Sequence, residues 1–291
     1  LLFVTSLCLC LSLNAQEKVP FVDYADVVEI TVDKASNEDY KGALEELNRI
    51  NKNDSTYCTT LTSKSYYNIL LKNYDEAIVV ADEGLALSCD SESKLYFYIN
   101  KGASLVEIER FDEAIKMYDE ASLDFPRNAR IWYNKALAYE RSENISQAVN
   151  AYQKAIVYNP IHRNAHLQLG NICYRQQLIS QALMCYNMSL IIEPDTDRGF
   201  ALLKYMNEIA SSKNENEPIA DLIISDDDEV FEDIDLIINN RVVLDQDYDT
   251  KSKIEIPLVK QNHALLEQLN SIEGNGGFWD VYYVYVEVAP H

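Results

Sequence analysis

Chemistry in this chain would have to come from its histidines, cysteines and carboxylates, and their spacing fits no catalytic pattern. His162, His166, His263 and His291 give neither a metal-ligand spacing nor a triad. The chain has no GxSxG, HExxH, GxxxxGK[ST] or GxGxxG motif and no CxxC pair. Asp245, Asp247 and Asp249 alternate as in a calcium loop. Such a loop also needs Gly at its sixth place and Glu at its twelfth, and Thr250 and Ile256 stand there. Carboxylates are plentiful, but no pair is placed for acid–base work. The expectation is a non-enzymatic protein without metal or cofactor. His166 is expected in the core and His162 solvated in a turn.

Charge narrows the partners. The formal net charge is −22. Such a chain lacks the Lys and Arg excess that displaces counterions from nucleic-acid phosphates or docks on an anionic membrane. The surplus is uneven, with 21 acidic against 7 basic residues from Asp195 to His291. Eight glycines and seven prolines are too few for a turn-rich all-β fold.

Leu1–Leu13 is an uncharged apolar run with the length of a signal-peptide core, shorter than a membrane span. Ala15 offers a cleavage point, so residues 1–15 are read as a signal peptide whose start is truncated. A lipoprotein reading through Cys8 or Cys10 is disfavoured by the leucine before each. Export is therefore expected, to the periplasm or cell envelope. Cys58, Cys89, Cys173 and Cys185 would remain, in a compartment where disulfides form.

The elements that position these residues are set by a repeat. Ala114, Ala148 and Ala182 lie 34 residues apart, as do Tyr118, Tyr152 and Tyr186, and Pro126, Pro160 and Pro194. Ala121, Ala155 and Ser189 form another column, and Gly102, Ala136 and Gly170 another, preceded by Tyr98, Trp132 and His166. Ala four residues before an aromatic puts both on one helix face. Small residues let helices approach, and proline ends each unit. Phe111, Ile145 and Ile179 plug the turn between the two helices. Asn73–Ile78 copies Phe111–Ile115, and Ala43 stands 34 residues before Ala77.

Trp132, Ala136, Tyr139, Ala148, Tyr152, Ala155 and Pro160 resemble the tetratricopeptide repeat family, and the chain looks like exported bacterial members. The resemblance implies an all-α, right-handed solenoid of helical hairpins, about five units over residues 21–194. It also implies a concave groove lined by first helices. Transferred to this chain, groove positions are Tyr66, Tyr96, Ile99, Asn100, Ala103, Tyr133, Asn134, Leu137, Asn171 and Tyr174. A carboxylate clamp would use Asn100, Asn134 and Arg130, but its second basic anchor is missing. Cys58 opens one helix of a hairpin and Cys89 closes the other, so their ends lie side by side, where a disulfide and two free thiols both stay open. Cys173 and Cys185 are read as buried thiols on different faces.

Residues 195–213 read as a capping helix and 214–291 as a less regular acidic extension. The extension contains a linker at Lys213–Pro218, an acidic run at Asp226–Asp235 and an amphipathic helix at Pro257–Ile272. Phe278–Val288, FWDVYYVYVEV, is β-branched and aromatic and is expected as a strand, with the chain truncated beyond it. The function expected is a protein-protein interaction scaffold or adaptor holding a peptide or protein segment. A carbohydrate-binding accessory with sugar-stacking tyrosines is the alternative, and an enzyme hidden in the C-terminal region is the third reading.

Overall fold

The computed structural model describes residues 22–211, 230–231, 234–235, 238, 256–270, 272–274 and 277–288. The proposed signal peptide, the linker and the Asp245–Asp249 loop lie outside the described residues. The helices are α1 (Tyr24–Ser36), α2 (Tyr40–Leu47), α3 (Tyr57–Leu70), α4 (Tyr74–Ala86), α5 (Ser91–Glu107), α6 (Phe111–Asp124) and α7 (Ala129–Arg141). They continue as α8 (Ile145–Tyr158), α9 (Arg163–Arg175), α10 (Ile179–Ile192), α11 (Asp197–Ser211), α12 (Pro257–Leu269) and α13 (Gly277–Val288). Among the described residues there is no strand.

Each helical hairpin is turned by the same device. Glu38, Lys72, Glu109, Glu143 and Gln177 have φ of 61–63°, the left-handed region, and each stands between the two helices of a unit. The residue after each donates its backbone N–H back to the first helix: Asp39 to Lys34 (2.9 Å), Asn73 to Asn68 (2.8 Å), Arg110 to Leu105 (2.8 Å), Asn144 to Tyr139 (2.8 Å) and Leu178 to Cys173 (2.9 Å). This is the Schellman closure, which satisfies carbonyls that a helix end would otherwise leave open. Helix starts are capped by side chains: Asp23 accepts from Ala25 N, Asp39 from Gly42 N, Asn128 from Arg130 N and Ile131 N.

The chain divides into two compact units, Leu1–Asn100 and Lys101–His291. In the first, α1 pairs with α2 and α3 with α4, and α2 packs on α3. Val27, Leu47, Tyr57, Leu61, Ala81 and Phe97 form its core. The structure joins Cys58 and Cys89 in a disulfide with Cα atoms 5.7 Å apart, tying the start of α3 to the chain just after α4.

In the second unit α7 pairs with α8 and α9 with α10, while α6–α7 and α8–α9 contacts link successive hairpins. Tyr118, Tyr152 and Tyr186 are fully buried. The small column works as expected: a Cβ on Gly170 would come 2.7 Å from the Tyr186 ring. Cys173 and Cys185 are buried thiols.

The C-terminal third departs from expectation in two ways. Residues 277–288 form a helix, α13, where β propensity predicts a strand. No partner strand is at hand among the described residues, whereas a helix puts Phe278, Trp279 and Tyr282 into one core with α8 and α10. Burial decides, as it does wherever packing overrides propensity. The acidic extension also contributes core: Phe231, Ile234, Ile238, Leu258, Leu265 and Leu269 join the same cluster. Residues 179–186 of α10 are consequently buried one after another, on every face. Asp235 supplies the cap that Leu178 cannot, its carboxylate accepting Ser180 N–H at 2.6 Å.

Candidate functional site

The first helices carry every residue assigned to the groove, and each unit holds its own share. In the first unit Tyr66 on α3 is 50% exposed, its ring tilted against Tyr67 at 6.0 Å. Tyr96 and Ile99 on α5 are half-buried. Asn100 is buried, with its Nδ2 donating to the Thr62 carbonyl at 3.2 Å, and so clasps α5 to α3.

The second unit brings Tyr133, Asn134 and Leu137 from α7 together with Asn171 and Tyr174 from α9. Tyr133 is half-buried, packed on His162 at 4.8 Å and tilted against Tyr152 at 5.8 Å. Burial raises its hydroxyl's pKa. Asn134 donates within its own helix to the Arg130 carbonyl at 2.8 Å. Leu137 packs against the core. Asn171 is fixed from both sides: its Oδ1 accepts the Tyr186 hydroxyl at 3.0 Å and its Nδ2 donates to Gln168 Oε1 at 3.1 Å. Tyr174 meets Tyr205 of α11 edge-on at 5.8 Å. Arg175 reaches Glu140 of α7 at 2.5 Å, and the same carboxylate accepts the Tyr152 hydroxyl at 2.8 Å.

His162 corrects one expectation. It is half-buried, and its Nδ1 accepts Ala165 N–H at 3.2 Å as the cap of α9. Burial lowers its pKa. Sequence reasoning also missed Gln168 and Tyr205. The 34-residue register extends to Tyr205, which follows Asn171 by one period, just as Phe200 follows His166.

The result is a strip of ring edges and amides on α7, α9 and α11. Contacts within the protein hold these side chains in place. Among the described residues, no group of His, Cys, Asp and Glu could hold a metal ion. No described helix is long and apolar enough to cross a membrane. A second surface runs along the second helices: Leu123, Val157 and Ile191 are 34 residues apart and 83%, 60% and 64% exposed.

Two tetratricopeptide-repeat models match the sequence, over residues 129–162 and 99–145. Residues 99–162 thus carry tetratricopeptide repeats. Among solved structures, TTC0263, a thermophilic TPR protein of Thermus thermophilus, aligns with TM-score 0.52 and 16% identity, covering 62% of this chain and 98% of that one. MamA from Desulfovibrio magneticus RS-1 aligns with TM-score 0.48 and 22% identity, over 61% of this chain and 99% of its own. YrrB, described as a TPR protein with an unusual peptide-binding site, gives TM-score 0.44 and 15% identity, over 65% and 94%. At these identities the likeness is one of fold. No curated protein matches the chain. Tetratricopeptide repeats are interaction modules, and the protein is a protein-protein interaction scaffold.

Proposed function

We propose that this scaffold holds an extended peptide or protein segment on the first-helix face of α7, α9 and α11, without catalysing a reaction, in the cell envelope. The observation that carries the reading is the Asn171 amide, held by Tyr186 and Gln168 and three residues before Tyr174 on α9. An amide held on both sides costs little entropy when it meets a backbone, and half-buried rings supply rigid apolar anchors. A sugar needs an open ring face. His162 packs on Tyr133, and the edge-on contact with Tyr205 restricts Tyr174, so a peptide suits this strip better than a glycan does. Export rests on Leu1–Leu13 and on the cysteine pair Cys58–Cys89, whose geometry suits an oxidising compartment.

Selection of a displayed random-peptide library on the full chain tests the binding reading. Peptides enriched on the wild type should lose about 10-fold or more in affinity on Asn171→Ala/Tyr174→Ala, the scale of an interface hot spot. No enrichment, or equal binding to both, would contradict it. Thiol trapping in fractionated cells tests the compartment, with a Cys58–Cys89 disulfide expected in the envelope fraction and cytoplasmic protein with both thiols reduced as the contrary result.

A further inference from the structure

His166 stands where Trp132 stands one unit earlier, and the two side chains make the same bond. Trp132 Nε1 donates to the Pro126 carbonyl at 3.1 Å, and His166 Nε2 lies 2.9 Å from the Pro160 carbonyl. A carbonyl only accepts, so Nε2 carries the imidazole hydrogen and Nδ1 is an acceptor. Unlike an indole, the imidazole therefore has a second polar atom to satisfy. Tyr282 of α13 satisfies it, its hydroxyl donating to Nδ1 at 2.8 Å. With its one hydrogen spent there, the hydroxyl oxygen faces the Cys185 sulfur of α10, 3.1 Å away. His166, Tyr282 and Cys185 are all buried.

This chain of bonds pins α13 to α9 and α10, and it is built around a neutral imidazole. A proton on Nδ1 turns that atom into a donor and drives the hydroxyl to reverse toward sulfur, a weak acceptor. It also places a cation in a buried site, where an unpaired charge is costly. Tyr282 faces the ring from α13, Cys185 reaches it from α10 through that hydroxyl, and the Pro160 carbonyl faces it from the preceding turn. His162, at the start of α9, opposes its protonation.

We propose that α13 is a pH-sensitive latch, docked through Tyr282 onto neutral His166 and released when that imidazole gains a proton. Release uncovers the Cys185 thiol and the apolar sides of α8 and α10 that α13 covers. The sign follows from burial, which lowers the imidazole's pKa from its ordinary 6.5 to about 4. Docking is at full strength above pH 6.5, weakens as pH falls toward 4 and changes no further below that. If release fully hydrates the ring, the docking equilibrium weakens up to about 300-fold across that window.

Trp279, on α13, reports the latch. The chain has two tryptophans, so the full chain carrying Trp132→Phe leaves Trp279 as the sole indole. Titrated from pH 7.5 to 4, its emission should shift to the red while far-UV ellipticity from the array is held. In the same background His166→Gln, which keeps a donor for Pro160 and an acceptor for Tyr282 but cannot charge, should abolish the transition. Tyr282→Phe, which removes the bond to the neutral ring, should move the transition to higher pH. A transition unchanged in His166→Gln, one shared with loss of array ellipticity, or none in the parent chain would overturn the proposal. If His166→Gln fails to fold, the shift in Tyr282→Phe decides, and an unmoved transition there also overturns it.

Discussion

Gly170 and Asp235 both brace α10 and differ in how far the sequence announces them. Gly170 belongs to a small-residue column, and its backbone approaches the Tyr186 ring so closely that a Cβ would sit at 2.7 Å. Gly170→Ala should destabilise the second unit by about 1–3 kcal/mol, the usual cost of overpacking, read from a urea transition. Asp235 caps α10 from 55 residues away, its carboxylate 2.6 Å from Ser180 N. Asp235→Ala should cost about 1 kcal/mol in the same measurement, with amide exchange rising first in the opening turn of α10. The period places Gly170 because neighbouring units share a register. Nothing in the local sequence places Asp235, since a cap from outside the repeat obeys no register.

At the scale of elements, the hairpin turns are the most regular feature and the most strained. Glu143 holds φ at 62°, which costs a residue with a Cβ about 1–2 kcal/mol. Glycine removes that cost and gives back about 0.5–1 kcal/mol in unfolded-chain entropy. Glu143→Gly should therefore stabilise the second unit by about 0.5–1 kcal/mol, the difference of those two effects, seen as a higher urea midpoint with unchanged slope. The turns themselves were legible, because apolar plugs such as Ile145 and Ile179 mark where second helices begin. The left-handed residues were not, since glutamate, lysine and glutamine carry no local signal for that geometry. Helix α13 was misread as a strand because its aromatic and β-branched residues suit either element. Only a surface supplied by α8 and α10 decides between them.

For the whole molecule, the period in the sequence predicts the repeat array, while the contribution of the C-terminal third to its core was hidden. α10 carried a hint, since a helix apolar on all sides must be covered on all sides. The first unit instead has a covalent tie. Replacing both Cys58 and Cys89 by serine should lower its stability by about 3–4 kcal/mol, as expected for a crosslink spanning 31 residues. Amide exchange in α3 and α4 would show it. The binding strip was legible as far as its tyrosines, whose columns follow the repeat. Their packing roles were not, because spacing cannot show that His162 packs on Tyr133.

Binding on the first-helix face is the central claim. Calorimetric titration of one library-selected peptide into the wild type, Tyr174→Ala and the second-helix variant Val157→Ala tests it most directly. The expected result is an affinity loss of about 10-fold or more for Tyr174→Ala and an unchanged value for Val157→Ala. Loss in Val157→Ala with wild-type affinity in Tyr174→Ala would place the partner on the outer apolar column and contradict the claim.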